Sequence, residues 1–120
     1  MKAFISYDFG DNSLRGEVQG WLESAGHRVT AVQEKSLSPE SDESGKRRIK
    51  QQISECDHVL VLVGNNTHNR PWVDYEVAVY RSKGIPISWV RLPNRFGAAP
   101  KEVRGLTQVE YSRHAINTSV

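Results

Sequence analysis

Short apolar segments alternate along the chain with segments in which apolar residues recur at helical spacing. Residues 59–63 are apolar at every position, which predicts a central strand buried on both faces, as in a parallel sheet covered by helices. Four further strands are predicted from shorter segments. They cover residues 3–7, 28–32, 87–92 and 106–111.

Three helices are predicted between these strands. In the first, apolar side chains recur at positions 14, 18, 21, 22 and 25, after cap residues at 11–13 and before Gly26. A second helix carries a narrow apolar stripe of Ile49, Ile53 and Cys56, with Asp42 or Ser44 as its cap, and follows a polar loop over residues 33–45. The third helix spans residues 72–83, between Pro71 and Gly84.

This order of elements predicts an α/β fold with a doubly wound, mostly parallel five-stranded sheet. Residues 1–112 are expected to form one domain, and residues 113–120 a polar C-terminal tail that frays. Ligands of such sheets bind beyond the carboxyl ends of the strands. The segments of interest are therefore residues 6–12, 33–45, 64–72 and 92–100.

The composition excludes several classes of protein but does not indicate a function. With 120 residues, 38% of them hydrophobic and 25% charged, the chain has ordinary globular composition, which argues against disorder and against a membrane protein. The net charge of +2 is too small to argue for a nucleic-acid partner. The charge is uneven, because residues 1–57 carry −2 and residues 58–120 carry +4. An anionic ligand is therefore expected to contact the second half.

Cysteine content and the N-terminus bear on the compartment. Cys56 is the single cysteine, so an internal disulfide is impossible, and the N-terminus lacks the apolar run of a signal peptide. The longest apolar run is far shorter than the ~20 residues that cross a bilayer. A cytoplasmic protein without a membrane partner is expected.

Several common sites are disfavoured by the sequence. No Gly-x-Gly-x-x-Gly follows the first strand, the glycine that a P-loop requires before Gly45 is missing, and no aspartate ends the third strand as in a receiver domain. The four histidines and Cys56 are scattered without ligand spacing, so no metal is expected. Cys56 lies on an apolar stripe, which is typical of a small core residue rather than a nucleophile.

The remaining candidate lies in residues 65–76, after the central strand. Trp72 and Glu76 are four positions apart at the start of a helix and share one face. The loop before this helix lies at the ligand-binding edge of the sheet, so the Glu76 carboxylate is directed toward that edge. The spacing by itself fits better with a surface glutamate that stabilises the helix N-terminus.

The ordered set of motifs resembles the TIR domain superfamily, specifically the small prokaryotic TIR-like proteins related to those of the Thoeris antiphage system. The motifs are Phe-Ile-Ser-Tyr at 4–7, the helix-to-strand segment 48–59, Val-Leu-Val-Gly-Asn-Asn-Thr at 61–67 and Trp-Val-Asp-Tyr-Glu-Val at 72–77. The resemblance covers about residues 2–92 and none of the last thirty or so.

The resemblance implies a flavodoxin-like sandwich with sheet order 2-1-3-4-5. It also implies that Glu76 corresponds to the catalytic glutamate of NAD-cleaving TIR enzymes, within their W-x-x-x-E pattern. A single carboxylate suits this chemistry, because the nicotinamide of NAD+ is already a cationic leaving group and the ribose carbon becomes oxocarbenium-like as the bond breaks. Ordinary glycosidases, by contrast, need two carboxylates.

Further roles follow from the resemblance at the level of position. Ser6, Tyr7, Asp8 and Phe9 leave the first strand toward the site. Either Phe9 or Trp72 is a candidate for stacking on a base, and either Asp11 or Asn66 for holding a ribose hydroxyl. Core packing explains Tyr7 and Trp72 equally well. The candidates for contacting a pyrophosphate are Arg70, Arg91 and Arg95.

The expected activity is cleavage of NAD+ at the nicotinamide–ribose bond, giving an ADP-ribose or cyclic ADP-ribose-type signal in antiphage defence. NAD+ is then a substrate, self-association is expected, and a separate effector protein responds to the product. One alternative is a non-catalytic TIR-like assembly module. A weaker one is an enzyme similar to nucleoside deoxyribosyltransferases, which share the sheet and a catalytic glutamate.

Overall fold

A parallel five-stranded sheet forms the centre of the molecule in the computed structural model, which describes residues 1–31, 39 and 42–120. The strand order is β2-β1-β3-β4-β5, and all four pairings are parallel. This confirms the predicted order. The strands are β1 (Lys2–Ser6), β2 (Arg28–Ala31), β3 (His58–Val63), β4 (Ile87–Arg91) and β5 (Thr107–Val109).

Helices cover both faces of the sheet. They are α1 (Asn12–Ser24), α2 (Glu43–Ser54), α3 (Pro71–Lys83) and α4 (Arg113–Ser119). Helices α2 and α3 pack on one face, and α1 and α4 pack on the other. The fold is therefore α/β and flavodoxin-like.

The alternation of side chains along the strands divides the core into two layers. On β1, Phe4 belongs to the core beneath α2 and α3, whereas Ile5 belongs to the core beneath α1 and α4. Every residue of β3 is buried, as its continuous apolar sequence predicted. Ser6, next after Ile5, therefore points to the α3 face of the sheet.

Three helix ends follow the chemistry that the sequence indicated, whereas Asp11 precedes α1 without a side-chain cap bond and α2 ends at Ser54, before Cys56. The Asp42 side chain caps α2 by accepting a hydrogen bond from the Gly45 backbone N–H at 2.8 Å. Pro71 occupies the first turn of α3, where its missing N–H costs nothing. Gly84 ends α3 with a φ of 69°, a left-handed conformation that favours glycine.

The C-terminal residues differ from the expectation of a fraying polar tail. Residues Arg113–Ser119 form helix α4, and Ile116 is fully buried in the core shared with α1. The Ser112 side chain caps this helix by accepting a hydrogen bond from the Ala115 N–H at 3.1 Å. One buried side chain and a cap thus hold a segment that otherwise looks like a polar tail.

The other differences are small. The predicted strands differ from β1, β3, β4 and β5 by one or two residues at an end, because strand ends are set by pairing with neighbours. Val32 and most of the predicted loop over residues 33–45 lie outside the described residues. No helix in the described part of the chain is long and apolar enough to span a membrane.

Candidate functional site

Glu76 is buried at the carboxyl end of β1. It lies in the second turn of α3 and is 4% exposed. The Ser6 hydroxyl, at the end of β1, donates a hydrogen bond of 2.9 Å to Glu76 Oε1. Because Ser6 is also buried, this bond fixes one carboxylate oxygen away from bulk water. The structure thus brings together two of the predicted site residues, seventy positions apart in sequence.

A third predicted residue, Asp8, lies just beyond Ser6 and is also buried. Arg70 Nε donates to Asp8 Oδ1 at 2.5 Å. Arg70 directly precedes α3, so this ion pair attaches the loop after β1 to the start of the helix that carries Glu76. It makes Asp8 a structural partner of Arg70 as well as a candidate ligand contact.

Asp11 forms the next ion pair along the same loop. Arg95 Nε donates to Asp11 Oδ1 at 3.2 Å, whereas Oδ2 is buried and has no hydrogen-bond partner among the described residues. Burial raises the pKa of Asp11, the bond from Arg95 opposes this shift, and the nearby charge of Asp8 adds to it. Oδ2 rests against Gly64, where an added Cβ would lie 2.0 Å from it. Only glycine leaves room for this carboxylate at the end of β3.

The loop after β3 is fixed by Thr67 and contacts the loop after β4. Thr67 Oγ1 accepts from the Gly64 N–H at 2.8 Å and donates to the Leu62 carbonyl at 3.2 Å. Beside it, Asn65 Oδ1 accepts from the Phe96 N–H at 2.8 Å. Gly97 packs so closely on this loop that an added Cβ would lie 2.2 Å from the Asn65 carbonyl oxygen.

Two predicted site residues, Tyr7 and Trp72, make packing contacts with the cores on the two faces of the sheet. Tyr7 lies on the α1 side of the sheet, where its hydroxyl donates to Asn12 Oδ1 at 3.4 Å and Arg15 lies over its ring. Trp72 is buried in the core beside α2 and contacts the Tyr75 ring edge-on at 5.8 Å. Both placements agree with the core-packing interpretation of these residues.

Two other candidates lie at the surface. Asn66 is exposed in the loop after β3. Phe9 is 57% exposed in the loop after β1, a high value for a phenylalanine. Its position fits a contact with a bound molecule.

The described part of the site contains several buried carboxyl groups. Three buried carboxylates, those of Asp8, Asp11 and Glu76, lie along the carboxyl end of β1 and the helix beside it, against two paired arginines. Within residues 1–31, 39 and 42–120, no group of His, Cys, Asp and Glu has the arrangement of a metal site.

Three residues of this region were missed at the level of sequence: Asn65, Phe96 and Gly97. Asn65 adjoins Asn66, and spacing does not indicate which of two neighbouring asparagines receives a contact from a loop thirty residues later. Phe96 and Gly97 lie in the 92–100 segment that strand order singled out, but a lone exposed aromatic carries no periodic signal.

Residues 4–96 match the family described as Thoeris protein ThsB, TIR-like domain. The chain belongs to this family. The matched residues include the end of β1, all of α3 and the loops that carry Asn65, Arg95 and Phe96, and they end before β5 and α4. No curated protein sequence matches the chain significantly.

Solved structures agree on the fold at low sequence identity. A 2-deoxyribosyltransferase from Bacillus psychrosaccharolyticus superposes with a TM-score of 0.73 at 12% identity, over 98% of this chain and 90% of that one. The CMP N-glycosidase BcmB from Clostridium botulinum superposes with a TM-score of 0.66 at 15% identity, over 99% and 97%. The TIR-like fold of this chain is thus similar to that of nucleoside deoxyribosyltransferases.

Proposed function

We propose that this TIR-like protein cleaves NAD+ at the nicotinamide–ribose bond. The observation that carries the proposal is the buried Glu76 carboxylate, held by the Ser6 hydroxyl at the carboxyl edge of a parallel sheet. Membership of the ThsB TIR-like family supports the choice of substrate. The names of the two similar structures, a deoxyribosyltransferase and an N-glycosidase, support the type of bond.

In this mechanism the carbon–nitrogen bond breaks with both electrons leaving on nicotinamide, which departs as a neutral base. The ribose carbon gains positive charge, and the Glu76 carboxylate stabilises it while Ser6 fixes the carboxylate oxygen that it contacts. Water then adds its oxygen to the ribose carbon and loses one proton, which gives ADP-ribose.

A cyclic ADP-ribose-type product follows when a group of the same molecule reaches the ribose carbon before water does. Either product would serve as the antiphage signal for a separate effector protein in the cytoplasm. Self-association belongs to the same proposal, because it would enclose a site that lies at the edge of a small domain.

The test is product analysis after concentrated protein is incubated with NAD+. We expect nicotinamide release by the wild type and a fall in kcat of about 10²–10³-fold in Glu76→Gln, which keeps the shape but removes the charge. Asp74→Asn is the matched control on the same helix, since its carboxyl group faces Glu102 instead of Ser6. Full activity in a folded Glu76→Gln variant would refute the role of Glu76.

A second candidate is the cleavage of a nucleoside or nucleotide, favoured by the superposition with the deoxyribosyltransferase over 98% of this chain. It uses the same carboxylate, but the base is uncharged before cleavage and has to gain a proton as it leaves. Incubation with deoxynucleosides and with CMP separates the two, because release of free base from these compounds and not from NAD+ would favour this candidate. Self-association without turnover of any of them would instead favour a non-catalytic assembly module.

A further inference from the structure

Phe96 has a backbone held by hydrogen bonds of the surrounding loop and a side chain that is almost fully exposed to solvent. It is 87% exposed, the highest value among the large hydrophobic residues of the described part of the chain. The others are Phe9 and Met1, and Met1 lies at the opposite edge of the sheet, where its carbonyl accepts from the Arg28 N–H. Burial in the core therefore does not explain Phe96.

The backbone around Phe96 is held at three points. Its own N–H donates to Asn65 Oδ1 at 2.8 Å. The preceding Arg95 side chain binds Asp11 at 3.2 Å. The following Gly97 rests on the Asn65 carbonyl and accepts a hydrogen bond from Arg91. This chain segment is fastened to the ends of β1 and β3 while the ring stays free.

The same contacts join Phe96 to the candidate site. The Arg95–Asp11 pair links the loop after β4 to the loop after β1, in which Phe9 precedes Asp11 by two positions. Two exposed phenylalanines are thus carried by loops that are tied together at the carboxyl edge of the sheet. Asp8 and Ser6 continue the first of these loops toward Glu76.

The surroundings of Phe96 favour a small planar ligand over a protein surface. Its neighbours in the chain, Asn94 and Arg95, and its backbone partner Asn65 are polar or charged. Protein interfaces generally require a larger continuous core. A single aromatic face beside arginine is instead suited to stacking on a base whose phosphate lies nearby.

We propose that Phe96 is a base-stacking residue of the substrate site and forms, with Phe9, an aromatic rim for a planar heteroaromatic base of a nucleotide substrate. The inference rests on the proposed function for the choice of NAD+ as ligand. Asn65 and Gly97 then act as positioning residues, because they fix where the ring stands. Two bases of NAD+ share the required chemistry, the adenine and the nicotinamide.

Binding can be measured without turnover in the Glu76→Gln background. Adding Phe96→Ser should raise the Kd for NAD+ about tenfold, whereas Phe96→Trp should keep it within twofold of the parent, because a larger ring still stacks. The ring is exposed, so neither change should alter the thermal unfolding temperature. Nicotinamide mononucleotide, which lacks adenine, identifies the stacked base. If Phe96 stacks on adenine, Phe96→Ser should leave the Kd for nicotinamide mononucleotide unchanged. If Phe96 stacks on nicotinamide, the same substitution should raise that Kd.

A second variant displaces the ring without removing it. Gly97→Ala forces the loop away from the Asn65 carbonyl and should weaken NAD+ binding as Phe96→Ser does. Gly16→Ala is the matched control, because an added Cβ there meets nothing within 4 Å, and it should leave the Kd unchanged.

The outcomes distinguish this inference from the proposed function. An unchanged Kd in Phe96→Ser, together with NAD+ cleavage by the wild type, would overturn the role of Phe96 alone. A tenfold weaker Kd without cleavage by the wild type would support Phe96 and refute the proposed reaction. A change in sedimentation without a change in Kd would assign the ring to a protein contact and overturn the inference.

Discussion

At the scale of one residue, removal of the Ser6 hydroxyl tests whether the Glu76 carboxylate has to be held in place for catalysis. Because it donates to the buried Glu76 carboxylate, Ser6 is a positioning residue in the proposed mechanism. A hydrogen bond to a charged group is worth about 1.5–3 kcal/mol, so Ser6→Ala should lower kcat at least about tenfold while KM stays within twofold. Steady-state kinetics with NAD+ measure both values.

Two further variants separate positioning from general stability. Ser6→Thr keeps the hydroxyl donor and should restore most of kcat. Ser88→Ala removes the other buried serine of the sheet, which binds His58 at 2.8 Å on the opposite face, and should leave kcat unchanged. An equal loss of kcat in Ser6→Ala and Ser88→Ala would show that Ser6 matters only for folding.

The sequence indicated candidate residues for the site but not their contacts. Glu76 follows from its spacing to Trp72 together with the family resemblance, and Ser6, Asp8 and Asp11 from their place after the first strand. Their partners lie seventy, sixty-two and eighty-four positions away, and local patterns do not encode such distances. Ser6 was accordingly expected to contact substrate, whereas in the structure it binds Glu76.

At the scale of elements, α4 is the clearest departure from the predicted pattern. Its seven residues contain one strongly apolar, fully buried side chain, Ile116, so no amphipathic period is visible. Packing on α1 supplies the stability that local propensity lacks. The central strand β3, by contrast, can be predicted from the sequence because residues 59–63 are apolar on both of its faces.

Truncating Ile116 should therefore destabilise the whole domain. Ile116→Ala removes a fully buried side chain and is expected to lower the free energy of unfolding by about 2–4 kcal/mol. His114→Ala, at an exposed position of the same helix, should change it by less than about 0.5 kcal/mol. Chemical denaturation measures both. Equal stability of the two variants would mean that α4 is not part of the folded core.

At the scale of the whole molecule, basic side chains of the second half of the chain pair with acidic side chains of the first half at one edge of the sheet. Arg70 and Arg95 come from the basic second half and pair with Asp8 and Asp11 of the acidic first half. Part of the positive charge that suggested an anion site is thus neutralised by ion pairs within the protein. A pyrophosphate would have to share these arginines with the two aspartates.

The loop after β4 also reaches the outer side of α3, where two carboxyl groups face each other. Burial, and then the charge of Glu102, raises the pKa of Asp74 from 3.8 to about 6. The folded protein therefore binds this proton more tightly than the unfolded chain. Stability contributed by the protonated group is complete below the unfolded pKa and is lost as the pH rises through about 6.

Asp74→Asn should consequently stabilise the protein in a pH-dependent way. The side chain is partly exposed, so solvent screening reduces the expected gain to about 1 kcal/mol at pH 7.5, and the gain should vanish near pH 4. Urea unfolding of the variant and the wild type at both pH values measures the difference, in which the titration of all unaltered groups cancels. Glu23→Gln, on the exposed side of α1, is the control and should give no such trend. A gain that is constant with pH would mean that Asp74 and Glu102 do not share a proton, and that the amide acts through packing alone.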